Sequence, residues 1–196
     1  MVYNFSGQGV IMQTFMIVVG VVVLTVIFIY NSLVSKKNQV ENIFGSIDAI
    51  LKKRYDLIPS LVATAKEYME HEKSILEDIT ALRSQALNTK DSNKKIDIDK
   101  KVTSMLGSFM IAVENYPELK ANENLLHLQH SLNEIEEQLS AARRAYNQAV
   151  TDYNNAIEMF PSNIVANYLG YRRKHLFEIE DNERKNVDVK ALFDEK

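Results

Sequence analysis

There is no cysteine and no tryptophan in the 196 residues, and only three prolines and six glycines. Without cysteine, disulfides and thiolate metal sites are excluded, and a reducing compartment is permitted. The glycines stand singly, so no Gly-rich phosphate loop exists, and no Gly-x-Ser-x-Gly elbow occurs. Glu-x-x-His pairs, the signature of di-iron helix bundles, are also missing. The residues three before His71, His127, His130 and His175 are Tyr68, Asn124, His127 and Arg172. His71-Glu72 does not extend to His-Glu-x-x-His, because Ile75 stands where the second histidine belongs. The densest basic cluster, Tyr171 to His175, is short and followed at once by acidic residues, so no nucleic-acid partner is expected. Paired carboxylates such as Glu136 and Glu137 read as a solvated helix face. Nothing here calls for an enzyme, a metal or a cofactor.

Charge of either sign is absent from Met1 to Ser35. Within that stretch, Val10 to Tyr30 is apolar apart from a few polar positions, Gln13 and Thr14 among them near one end. As a helix it would be about 31 Å long, the thickness of a bilayer's hydrocarbon core. The preceding residues carry no basic n-region and no small-residue cleavage site follows, so an uncleaved anchor is expected rather than a signal peptide. Lys36, Lys37, Lys52, Lys53 and Arg54 follow closely, and the Lys/Arg bias then predicts an N-terminus outside and a cytoplasmic remainder. The net charge from Lys36 to Arg54 is +3, which leaves −6 for the rest of the chain. The predicted organisation is an external tail over 1–9, a transmembrane helix over 10–34, a helical domain over 35–170 and a charged, mobile tail over 171–196.

Beyond the anchor, apolar residues recur at steps of three and four. The longest series runs Leu125, Leu128, Leu132, Ile135, Leu139, Ala142, Tyr146, Ala149, Tyr153 and Ala156, a packing seam. A second runs Leu61, Ala65, Tyr68, Glu72, Ile75, Ile79, Leu82 and Ala86, with Glu72 its one charged member. Shorter seams join Val40, Ile43, Ile47 and Ile50, and Val102, Met105, Phe109 and Val113. Pro59 suits a helix's first turn, Asn88 to Lys95 reads as a loop, and Pro117 and Pro161 punctuate the remainder. The predicted fold is all-α: one transmembrane helix, then an antiparallel four-helix bundle of long helices. The first bundle helix is expected to continue from the membrane helix, with Gly45 the one weak point.

Several polar strings are more than such a bundle requires. They are RYDLIPSLV from Arg54, His71-Glu72, Arg83, ENYPELKAN from Glu114, ARRAYN from Ala142, Tyr153-Asn154 and FPSN from Phe160. In order and spacing, over about residues 30 to 170, they strongly resemble the LemA family of bacterial membrane proteins. The resemblance implies a single-pass protein of the bacterial cytoplasmic membrane, N-terminus outside, with a cytoplasmic four-helix bundle and no established catalytic activity. A relative's part in forming magnetosome membranes favours a membrane-organising or scaffolding role by analogy. Gly45 stands where relatives more often have serine, and Glu137 where asparagine is common.

Arg54, Asp56, Glu72, Arg83, Glu114, Asn115, Tyr116, Arg143, Tyr146, Asn147 and Asn154 form the candidate set. An unpaired buried Glu72 would be costly, so Arg54, Arg83 and Arg143 are its expected partners, with Asn147 and Asn154 completing the hydrogen bonds. Such a network fixes helix register, or else forms a site for a ligand or partner peptide at one end of the bundle. The expected partners are the lipid bilayer and other proteins or a second copy, met through the long Leu125–Ile157 helix. A sensory bundle signalling through the membrane helix is the alternative.

Overall fold

The computed structural model describes residues 5–177, with side chains from residue 9 onward. They form six helices and, among the described residues, no strand: α1 (Phe5–Lys66), α2 (Lys73–Asn88), α3 (Ser92–Val113), α4 (Pro117–Lys120), α5 (Glu123–Glu158) and α6 (Ser162–Tyr168). α1 begins inside the expected 1–9 tail. Residues 178–196, most of the expected mobile tail, lie outside the described residues.

At 62 residues, α1 is about 93 Å long. Its side chains are exposed from Gly9 to Phe28, and this is the one helix among the described residues long and apolar enough to cross a membrane. Burial then sets in within a turn. Leu33, Val40, Ile47, Leu51, Ile58, Leu61 and Ala65 are all at most 1% exposed, and their steps of seven, four and three place them on one face. The opposing seam of α5 is buried at Leu125, Leu132, Ile135, Leu139, Tyr146, Ala149 and Tyr153, as the periodicity predicts. Tyr68 meets Asn122, Arg54 meets Glu136 and Phe44 meets Tyr146, so residue numbers fall along α5 as they rise along α1.

Two expectations are corrected here. Pro59 lies in the interior of α1 rather than at a helix start. The seam predicted through Glu72 does not belong to one helix, because α1 stops at Lys66 and α2 starts at Lys73. No glycine or proline marks that break. Instead Met69, folded back by its N–H to the Ala65 carbonyl (2.9 Å), turns into the core at 2% exposure. Side chains of Asp91 and Asn122 cap α3 and α5, each accepting from N–H groups of the first turn.

After α6, Gly170 adopts φ +69°, which costs glycine little. The Tyr171 N–H reaches the Ala166 carbonyl and the Gly170 N–H the Asn167 carbonyl, at 3.0 and 3.1 Å. This is a Schellman ending, and it sends the chain back along α5 as an extended strap, residues 171–177. At the end of the strap Phe177 is buried, only 6% exposed.

Candidate functional site

The polar candidates occupy four places along the body. The innermost is a charge cluster around Asp99, which is 1% exposed on α3. Arg54 Nη1 donates to Asp99 Oδ1 at 3.1 Å and to Thr103 Oγ1 at 2.9 Å. From the other side, Arg143 Nη2 donates to Asp99 Oδ2 at 2.6 Å and its Nη1 to Glu136 Oε1 at 3.0 Å. Glu136 Oε2 also lies 3.3 Å from Arg54 Nη2. Two arginines and two carboxylates thus neutralise one another across α1, α3 and α5. Burial works against the Arg143 charge, but Asp99 and Glu136 outweigh it and hold its pKa above the ordinary value. The nearby Tyr55 phenol is pushed up by burial, with Asp99 adding to the effect. Arg54 Nε and Glu136 Oε2 are buried without a hydrogen-bond partner, while the bonds that are made tie α1, α3 and α5 together.

The second place is the Arg83 side chain on α2. Its Nε donates to the carbonyl of Tyr55 at 2.8 Å, and its Nη2 comes within 4.0 Å of Asp56. The third is the end of the body beyond Lys66. There the Tyr116 hydroxyl donates to Glu72, Asn122 Nδ2 donates to Tyr68 Oη at 3.3 Å, and Lys120 pairs with Glu114. Hydrogen bonding to Glu72 raises the Tyr116 pKa. Glu72 therefore takes a tyrosine in place of the expected arginines, and this is feasible because it is half-buried at the start of α2 rather than sunk in a seam. Asn115 is exposed there.

The fourth place joins α5 to the strap. Asn154 donates through Nδ2 to the Lys174 carbonyl and accepts from the Lys174 N–H, both at 3.0 Å. Asn147 repeats the arrangement with Phe177, at 2.9 and 2.8 Å. The spacing is geometric. Seven helical residues advance about 10.5 Å, and three extended residues cover about 10 Å, so asparagines a heptad apart meet strap positions three apart. Tyr146 is held between Phe44 and Phe177, with ring centroids 5.8 and 5.2 Å away. Arg143 sits 5.8 Å over the Phe177 ring, so the strap also covers one side of the charge cluster.

Asp99, Thr103, Glu136 and the strap are absent from the sequence-derived set. A signal for Asp99 existed: stepping back by three from Val102 along its seam reaches Asp99 and then Ile96, both buried. Glu136, read as solvated, is partly buried against the two arginines, with 40% of its side chain exposed.

The chain is 26% identical to Protein LemA of Metamycoplasma hominis over 179 residues, 91% of this chain and 82% of that one. It is 31% identical to magnetosome protein MamQ 2 of Paramagnetospirillum magneticum over 90 residues, and to MamQ of Magnetospirillum gryphiswaldense over 72. Those stretches cover 46% and 37% of this chain but only 33% and 26% of the magnetosome proteins, which are much longer than the shared part. The LemA family model matches residues 43–191, from within the charged half of α1 through the strap and beyond, and the chain belongs to the LemA family.

Proposed function

We propose that this LemA-family chain is a membrane-anchored helical interaction protein. In this reading residues 10–28 cross the bacterial cytoplasmic membrane once, with the N-terminus outside. The inner part of α1 joins α2, α3 and α5 in an antiparallel four-helix bundle on the cytoplasmic face. The observation that carries it is the continuity of α1: the bare apolar stretch passes without a break into the seam that begins at Leu33. A body built on such a stalk is held at a fixed height and angle above the bilayer, as a scaffold requires. Orientation rests on Lys36 and Lys37, which follow a segment free of basic side chains. The charge cluster supports a structural rather than catalytic use of the polar residues, since its two arginines and two carboxylates neutralise one another across three helices. The magnetosome relatives support a part in organising membranes, with the exposed side of α5 as the surface that meets other proteins.

Crosslinking in intact cells, read by mass spectrometry, tests the role. Reproducible neighbours captured on the exposed side of α5 are expected; lipid-adjacent background alone overturns the scaffold reading. A protease added outside spheroplasts tests the topology. It should spare everything after Lys36, and cleavage in the turn at 67–72 reverses the orientation.

A further inference from the structure

α6 has two faces of unlike chemistry. One packs into the body through Ala166, which is 1% exposed. The other presents Ile164 and Tyr168 at 61% and 91% exposure, and the turn before the helix adds Phe160 at 81% and Met159 at 60%. Large apolar side chains clustered this densely on a surface mark a contact site.

Its height along α1 says which contact. The pairs Tyr68 with Asn122, Arg54 with Glu136 and Phe44 with Tyr146 set the register of α5 on α1. The same register brings the end of α5, at Glu158, level with Ser32. That is two residues past the apolar run that ends at Tyr30, and four residues, about 6 Å, before Lys36. α6 follows immediately and packs against α1. The exposed face therefore lies where hydrocarbon gives way to headgroups. Basic side chains accompany it: the Lys37 ammonium sits 5.7 Å from the Tyr171 ring, next to Arg172. Aromatic rings with an adjoining basic belt are the chemistry of interfacial membrane elements.

We propose that α6 and the turn before it form a second membrane contact. Met159, Phe160, Ile164 and Tyr168 enter the interfacial layer of the leaflet from which α1 emerges, and Lys37 and Arg172 meet its anionic headgroups. This rests on the reading that residues 10–28 span the bilayer. Two contacts on different elements would fix the body's rotation about α1 as well as its height.

The absence of native cysteine makes the test direct. Single variants Phe160→Cys, Ile164→Cys and Tyr168→Cys of the full chain are labelled with an environment-sensitive fluorophore. They are reconstituted in vesicles of phosphatidylethanolamine and phosphatidylglycerol that carry a nitroxide quencher at the top of the acyl chains, or, for the Val22→Cys control, near the ends of the acyl chains. The expected result is quenching several-fold stronger than for Ile111→Cys, an exposed apolar site near the opposite end of the body. Quenching no stronger than at Ile111→Cys, while Val22→Cys is strongly quenched, overturns the second contact and leaves the spanning reading intact. An unquenched Val22→Cys overturns the spanning reading, and this inference with it. Disulfides between two copies through Phe160→Cys, without lipid quenching, assign the face to a second chain and overturn the proposal.

Discussion

Arg83 Nε donates a 2.8 Å hydrogen bond to the carbonyl of Tyr55, the carbonyl that Pro59 leaves without its helical donor. In an α-helix the N–H of residue 59 would bond that oxygen, and proline has none. An arginine 28 residues further on fills the gap, so Pro59 and Arg83 act as one device although they sit on different helices.

Removing the arginine alone should therefore be expensive. Arg83→Met leaves a buried carbonyl unpaired, and about 1–3 kcal/mol of stability is expected to go with it. Placed on Pro59→Ala, which restores the backbone N–H, the same change should cost about 1 kcal/mol less. Denaturant unfolding of the four proteins in one detergent measures the coupling. Strict additivity would show that the two residues are independent.

The Asp99 cluster predicts an asymmetry between its two acids. Asp99 is buried between two guanidinium groups, so Asp99→Asn strands positive charge in the interior and should cost about 3–5 kcal/mol. Glu136, partly open to water, should cost at most about 1 kcal/mol as Glu136→Gln, because solvent screens what remains. The midpoints of urea unfolding decide; equal losses would mean that Asp99 is not the hub.

These two features mark the limit of what the sequence made legible. The apolar run and the seams of α3 and α5 were readable because burial there follows the helical period over several turns. Pro59 reads locally as a helix start because its compensation comes from Arg83, at a distance no local pattern records. Glu72 fitted the predicted seam, yet the chain breaks at 67–72 without a glycine or proline, driven by the burial of Met69. Asp99 is not legible because a single charge on an apolar face looks like the edge of a seam, and its partners Arg54 and Arg143 come from other helices. The strap escaped because extended backbone clipped by Asn147 and Asn154 has no periodicity of its own.

Those clips can be tested locally. Trypsin sites at Arg172, Arg173 and Lys174 lie in the strap, and Lys174 is held by both hydrogen bonds of Asn154. Asn154→Ala should speed limited cleavage there by about tenfold, equivalent to about 1.4 kcal/mol of lost local stability. Global unfolding should shift far less. Unchanged cleavage would mean that Phe177 packing alone retains the strap.

Alkaline pH should weaken the body. Burial raises the pKa of Tyr55, Tyr146 and Tyr153, and hydrogen bonding to Glu72 raises that of Tyr116. Unfolded tyrosines ionise near pH 10, so above that pH the unfolded chain holds fewer protons than the folded one. Stability is then full below about pH 10 and falls as pH rises through the folded values. Phenolate absorbance and helix content followed together should show these side chains ionising only as the helices separate. Ionisation of all nine tyrosines at full helicity would contradict the burial.

Gly45 is an exposed glycine within the stalk, and a Cβ added there meets nothing within 4 Å. A glycine in a helix interior costs about 0.5–1 kcal/mol relative to alanine, through the freedom it gives the unfolded chain. Gly45→Ala should therefore stabilise the body by that amount without altering a contact, and Gly107→Ala, equally open on α3, should do the same. Gly20→Ala, in the bare apolar stretch, serves as the control. It has the same open surroundings but lies outside the packed core, so it should leave the urea midpoint unchanged. If Gly45→Ala behaves like Gly20→Ala rather than Gly107→Ala, α1 is not cooperatively folded with the body at that point, and the rigid stalk fails with it.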